Sequence, residues 1–137
     1  MMDSVDYKAD LQNLPFDDES FDFFICSHVL EHVEDDRAAM RELYRITKKH
    51  GAGILMAPII VGLDKTHEDP SITDEGERWR LFGQNDHVRL YAHNDYVALI
   101  KQASFNLQEL DINHFGETAY KRLGLNPTST LYVVSKA

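Results

Sequence analysis

The sequence predicts an α/β fold, a mostly parallel sheet with helices packed on it that finishes on an antiparallel pair of strands. Three observations carry this. Two nearly unbroken apolar stretches, Phe21 to Ser27 and Gly53 to Pro58, read as strands, because strands of parallel sheets are buried on both faces and lose the alternation of half-exposed ones. Between them Met40, Leu43, Tyr44 and Thr47 recur at helical spacing, the mark of a helix with one buried face. Two further short strands, Leu107 to Ile112 and Leu131 to Val134, close the chain.

Taken in order, Val5 to Leu11 reads as a short strand, followed by a turn at Asn13-Leu14-Pro15. After the Phe21 to Ser27 strand, Glu34-Asp35-Asp36 supplies a helix N-cap and a negatively charged first turn. Gly51 is placed to end that helix. Lys48-Lys49-His50 then sit where cations offset the helix dipole. Ile60 to Tyr91 is long, polar and irregular, and loops of that length in small domains are usually functional or disordered. Asn94 or Asp95 caps a second helix whose buried face is Val97, Ile100 and Ala103. The order strand, helix, strand, loop, helix, strand, strand is the second half of an α/β sandwich. Nothing in the sequence divides the chain, so residues 1–137 are expected to form a single domain.

Bulk properties exclude several roles. The net charge is -9 and the only basic cluster is Lys48-Lys49-His50, so nucleic acid is not expected as a partner. No apolar run approaches the roughly 20 residues needed to span a bilayer, so no membrane partner is expected. The single cysteine, Cys26, cannot form an internal disulfide and reads as a small buried hydrophobe in a reducing compartment. Met1-Met2-Asp3-Ser4 does not resemble a secretory signal, so a cytoplasmic location is expected.

Specific motifs narrow the fold to a family. Asp10-Leu11-Gln12-Asn13-Leu14-Pro15-Phe16, Asp18-Glu19-Ser20-Phe21-Asp22 and Ser27-His28-Val29-Leu30-Glu31-His32-Val33 follow one another at fixed spacing. They run on to Glu42-Leu43-Tyr44-Arg45-Ile46 and the Lys49-His50-Gly51-Ala52-Gly53 turn. Together they resemble the middle of class I S-adenosylmethionine-dependent methyltransferases of the small-molecule type, with His50 in place of a frequent proline. A later block, Phe82-Gly83-Gln84-Asn85-Asp86-His87-Val88-Arg89-Leu90-Tyr91, resembles the loop after the fifth strand in a bacterial branch of that family.

The resemblance implies a Rossmann-like sandwich, S-adenosylmethionine as cofactor, and methyl transfer to a small-molecule acceptor. It places Asp10, closing the family's third strand, against the adenine amino group, and the Leu11 backbone N–H against a ring nitrogen. It sets the end of the fourth strand, here Cys26, Ser27 and His28, beside the methionine part of the cofactor. The carboxyl ends of strands are where open α/β sheets bind ligands. Methyl transfer is an in-line displacement in which the protein chiefly aligns the reactants, so no catalytic residue is obligatory. His28 reads as a residue packed under the sheet, a backbone contact to the cofactor, or a general base near neutral pH. His87 and Arg89 stand on the long loop as candidates for acceptor recognition or lid closure, with His87 also a weak candidate base. His32 reads as structural.

The family's glycine-rich cofactor turn does not occur in this sequence. Its only Gly-x-Gly, Gly51-Ala52-Gly53, leads into a strand, whereas a binding fingerprint follows one and opens a helix. Two strand–helix units, about 60 residues at roughly 30 each, are therefore expected to be missing. Met1 is on this view an internal start, a fragment boundary or an engineered edge, and the chain the C-terminal portion of a domain. Such a chain is expected to bind the cofactor weakly or not at all. It is also expected to associate with itself or with a complementing N-terminal chain along the strand edge left open. A methyltransferase-like module without catalysis, serving binding or oligomerisation, is the alternative role. His28-Val29-Leu30-Glu31-His32 also matches a zinc-ligand pattern of long helices. Here it directly follows a buried strand and precedes a fresh helix cap, so no metal is expected.

Overall fold

A computed structural model describes residues 6–68, 74–82 and 88–137, with the backbone alone at 75, 81 and 82. The expected α/β order is present. Strand β1 (Phe21–Ser27) leads through a 3-10 turn (Leu30–His32) to helix α1 (Asp36–Ile46), strand β2 (Thr47–Met56) and helix α3 (His93–Gln102). Strands β5 (Asn106–Leu110) and β6 (Leu131–Ser135) follow. The four strands form one sheet in the order β1-β2-β6-β5. β1 and β2 are parallel, and β6 runs antiparallel to both β2 and β5.

The core lies on one side of that sheet. Cys26, Leu55, Tyr132 and Val134 point from alternate strand positions onto Met40 and Leu43 of α1 and onto Tyr96, Leu99 and Ile100 of α3, as the two-residue strand period requires. The expectation that Phe21–Ser27 is buried on both faces is not met among the described residues. Phe24 packs inward near Phe105, but Phe23 and Ile25 are 50% and 68% exposed on the other face. β1 is also an edge of the described sheet.

Several local expectations are corrected. No described residue of the Val5 to Leu11 segment lies in the sheet. Asp10 makes only an isolated bridge to Asn13 across a tight turn, and that turn is tied down by side chains. The Asp35 N–H donates to Gln12 Oε1 at 3.0 Å, and the Arg45 guanidinium donates to the Phe16 and Leu14 carbonyls at 2.7 and 3.2 Å. A segment strapped to a helix by side chains has no need of strand pairing to satisfy its carbonyls.

Asp35 is the N-cap of α1, accepting from the Ala38 N–H, as the acidic triplet predicts. The far end differs. The helix stops at Ile46 and β2 begins at once, so Gly51 is not its terminator. The Lys136 ammonium takes the terminal carbonyls, donating to Tyr44 and Thr47 at 3.0 Å each while lying 4.4 Å from the Tyr44 ring centre. Lys48, Lys49 and His50 are therefore strand residues in an irregular stretch, where the register jumps from Phe21–Thr47 to Phe23–Ala52. His50 absorbs the irregularity with a left-handed φ of 67°.

The polar stretch from Ile60 is less irregular than expected. It holds a two-stranded ribbon, β3 (His67–Glu68) with β4 (Arg89–Leu90), and helix α2 (Glu75–Phe82). Helix α3 is capped by neither Asn94 nor Asp95. Its N-cap is Ala92, whose N–H donates to Thr66 Oγ1, and Asp95 accepts from the Thr66 N–H at 2.6 Å. Tyr96 and Leu99 join Ile100 as its buried residues. Between β5 and β6, helices α4 (Ile112–Phe115) and α5 (Glu117–Leu123) form where no element was expected.

Candidate functional site

β1 and β2 run side by side, and their carboxyl ends meet at one place. Ser27 pairs with Met56, and the His28 N–H donates to the Met56 carbonyl at 2.8 Å. His28 then turns sharply, with a φ of 56°, a conformation costly for a non-glycine residue and concentrated at functional sites. Its imidazole is 67% exposed. It lines an open cavity of about 610 Å³ with Met56, Ala57, Ile59, His93, Asn126, Thr128 and Tyr132.

Immediately after His28, the 3-10 turn carries Glu31 into the interior. Its side chain is 2% exposed, and neither carboxylate oxygen has a hydrogen-bond partner. His28 Nδ1 stands 3.6 Å from Glu31 Oε2, within ion-pair range when the imidazole is protonated. The Tyr96 hydroxyl, also buried, is likewise unpartnered. Burial pushes the Cys26 thiol up to about 11, with the Glu31 charge adding to it. Burial also raises Tyr96 far above the usual phenol range. The interior side of the β1 end is therefore anionic or neutral-polar.

Arg89, expected on the substrate loop, is 3% exposed. Its guanidinium donates to the carbonyls of Leu30 and Glu34 at 2.6 and 2.8 Å and also to that of Val33, while its Nε donates to Glu68 at 2.9 Å. The Val88 N–H completes the join by donating to the Glu31 carbonyl. Arg89 thus pins β4 to the turn that positions His28 and Glu31. His87 and Asp86 lie outside the described residues.

Of the other residues singled out by sequence, His28 lines the cavity, and Ser27 pairs with Met56 just before it. Asp10 and Leu11 do not line it. Asp10 is exposed and its Oδ1 accepts from the Gln12 N–H at 2.9 Å, while Leu11 packs against the core. His32 is exposed beside the turn. Among the described residues no cluster of three or more His, Cys, Asp or Glu could hold a metal ion. His93, Asn126, Thr128 and Tyr132 were missed. They come from separate parts of the chain, and no local motif marks them. His93 alone carries a signal, a titratable residue opening a helix, and its Nε2 is paired with Glu109.

The residues present fit the methionine side of an adenosyl cofactor. A buried carboxylate without a hydrogen-bond partner is costly, and Glu31, 3.6 Å from His28 Nδ1, places one beside the imidazole at the cavity wall. The described strands offer no glycine-rich turn for the remainder of such a cofactor.

Comparison with known proteins points to similarity with methyltransferases. The family described as "Methyltransferase domain" matches residues 3–55. The uncharacterized methyltransferase YcgJ of Bacillus subtilis is 28% identical over 102 residues, covering 72% of this chain and 37% of that protein. The chain thus spans little more than a third of this curated relative. In fold it is similar to a SAM-dependent methyltransferase of Thermotoga maritima, with a TM-score of 0.57 and 20% identity, covering 96% of this chain and 63% of that one. It is similar also to a chain of the Haloferax volcanii complex of the Trm112 methyltransferase activator, with a TM-score of 0.62 and 18% identity, covering 94% and 59%. The matched segment carries the β1 turn, and in sequence over that segment and in fold over nearly its whole length the chain is similar to S-adenosylmethionine-dependent methyltransferases.

Proposed function

We propose that this chain supplies the methionine-side rim and the acceptor side of a methyl-transfer site whose acceptor is a small molecule. The observation that carries the reading is His28, turned left-handed at the end of β1 over an open cavity, with an unpartnered buried carboxylate beside it. When bound, S-adenosylmethionine supplies an electrophilic methyl group on a sulfonium. The chain's own part is to position. Ser27 and His28 hold the methionine side, Glu31 offers negative charge, and Asp10 with the Leu11 N–H faces the adenine. The His28 imidazole is exposed toward the cavity and can accept a proton from an acceptor that must lose one. Arg89 keeps the turn in place, and His87 is assigned to acceptor contact.

The chain alone is expected to bind the cofactor weakly, because no glycine-rich turn is present in its sequence to donate backbone N–H groups. Isothermal titration with S-adenosylhomocysteine tests this. Weak binding, further reduced in Asp10→Ala, fits the reading. A low-micromolar dissociation constant, about -8 kcal/mol, that is indifferent to Asp10→Ala and His28→Ala would overturn the assignment of these residues. The alternative role, a non-catalytic module that pairs with a second copy or a complementing chain, is favoured by one observation, the edge that β1 forms among the described strands with Phe23 and Ile25 exposed.

A further inference from the structure

A second pocket, of about 260 Å³, opens beside the His28 cavity between the end of β2, helices α4 and α5, and the start of β6. The two share Met56, Ser129 and Thr130, so they are two compartments of one depression. Their chemistry differs. His28, His93, Asn126 and Thr128 all lie on the first side. The second is walled by Met56, Phe115, Ala119, Leu123, Leu125 and Leu131.

The fold builds this apolar compartment deliberately. Tyr120 is 3% exposed and its hydroxyl donates to the Ser129 carbonyl at 2.6 Å, so only its ring faces the pocket. Gly124, at a left-handed φ of 68°, ends α5, and the Leu125 N–H returns to the Tyr120 carbonyl at 2.9 Å, the wrap that brings an apolar residue back onto the helix. Yet Phe115, Leu123 and Leu125 remain 45%, 68% and 45% exposed. Large apolar side chains gathered around a concavity mark a binding site.

We propose that this compartment takes the apolar body of the methyl acceptor while its polar, methyl-accepting head lies in the His28 cavity. The acceptor class is an amphipathic small molecule bearing a ring or short branched hydrocarbon. This rests on the methyl-transfer reading above. Size favours that occupant, since an apolar cavity of about 150 Å³ already takes benzene, and 260 Å³ accommodates a substituted ring. Continuity with the polar cavity favours a ligand that is polar at one end over a protein segment, which would need a broad surface of about 800 Å² per partner.

The probe is 1-anilinonaphthalene-8-sulfonate, two linked aromatic systems with one charged end, titrated into the whole chain and followed by fluorescence. Saturable one-to-one binding is expected. Ala119→Trp, which fills the pocket, and Leu123→Asp, which makes its wall polar, should each weaken binding about tenfold or more, the scale set by losing the burial of a large side chain. Ile25→Lys, on the exposed face of β1, should leave it unchanged. Circular dichroism and sedimentation on every variant establish folding and association. Binding that survives in both α5 variants, binding abolished by Ile25→Lys, or a dimer that Leu123→Asp dissociates would overturn the proposal, the last by seating a second copy in the pocket. Should Leu123→Asp fail to fold, Ala119→Trp decides. S-adenosylhomocysteine titration separates the two levels. Low-micromolar nucleoside binding that is indifferent to Asp10→Ala and His28→Ala sinks the methyl-transfer reading, whereas absence of a saturable probe site sinks this one.

Discussion

Arg89→Ala distinguishes a structural clamp from a substrate contact. In the folded chain the guanidinium satisfies the carbonyls of Leu30, Val33 and Glu34 and pairs with Glu68, with Asp36 3.6 Å away. Removing one partner of a buried hydrogen-bonded charge costs about 3–5 kcal/mol when the remaining charge is trapped. Glu68 is 49% exposed and can rehydrate, which removes most of that part of the cost. The Leu30 carbonyl is buried and the other two are partly buried, and each stranded acceptor costs about 1–3 kcal/mol. Water entering the vacated space recovers some of it, leaving a net loss of about 3 kcal/mol. Urea unfolding followed by circular dichroism measures this as a lower midpoint at unchanged slope. Arg89→Lys should recover less than half, since an ammonium cannot reach three carbonyls and a carboxylate from one planar fork. A loss below about 0.5 kcal/mol, the usual scale of exposed substitutions, together with a selective loss of acceptor turnover, would refute the clamp and restore Arg89 to the substrate loop.

Two further outcomes follow from burial and exposure. Cys26 holds its proton up to about pH 11 because it is buried and Glu31 lies near, against an ordinary value of 9.0. The folded thiol therefore resists iodoacetamide at pH 8. Its contribution to stability is complete below about pH 9 and falls as pH rises from 9 toward 11, since the unfolded chain then releases a proton that the folded chain keeps. Rapid alkylation of the native protein at pH 8 would contradict this. Among the described residues the other side of the same strand is an unpaired edge flanked by exposed Phe23 and Ile25, a combination that soluble proteins usually block. Sedimentation over a range of concentrations should show self-association that Ile25→Lys abolishes. Phe24→Lys is the poorer control because Phe24 packs inward, with its ring where a side chain on Gly53 would stand. A monodisperse monomer unaffected by Ile25→Lys would show that the edge is not adhesive.

The sequence by itself determined the order β1, α1, β2, α3, β5, β6 of the main sheet and its two long helices, because a strand such as Phe21–Ser27 and a capped helix beginning at Asp36 are written in contiguous residues. It also put the candidate residues Ser27 and His28 at the carboxyl end of β1, since the motif there is contiguous. Tertiary structure decided what depends on residues far apart in the chain. The end of α1 is set by Lys136, 90 residues beyond Ile46, so no local signal could announce it and Gly51 looked like the stop. Arg89 has the sequence context of a loop cation, yet the carbonyls it satisfies lie more than 50 residues earlier. The apolar compartment needs α4, α5 and the end of β2 together, and each alone is an unremarkable short segment. Hydrophobic pattern and capping act over one or two turns of chain. Burial and charge pairing act through space, and only the folded chain fixes which distant groups meet.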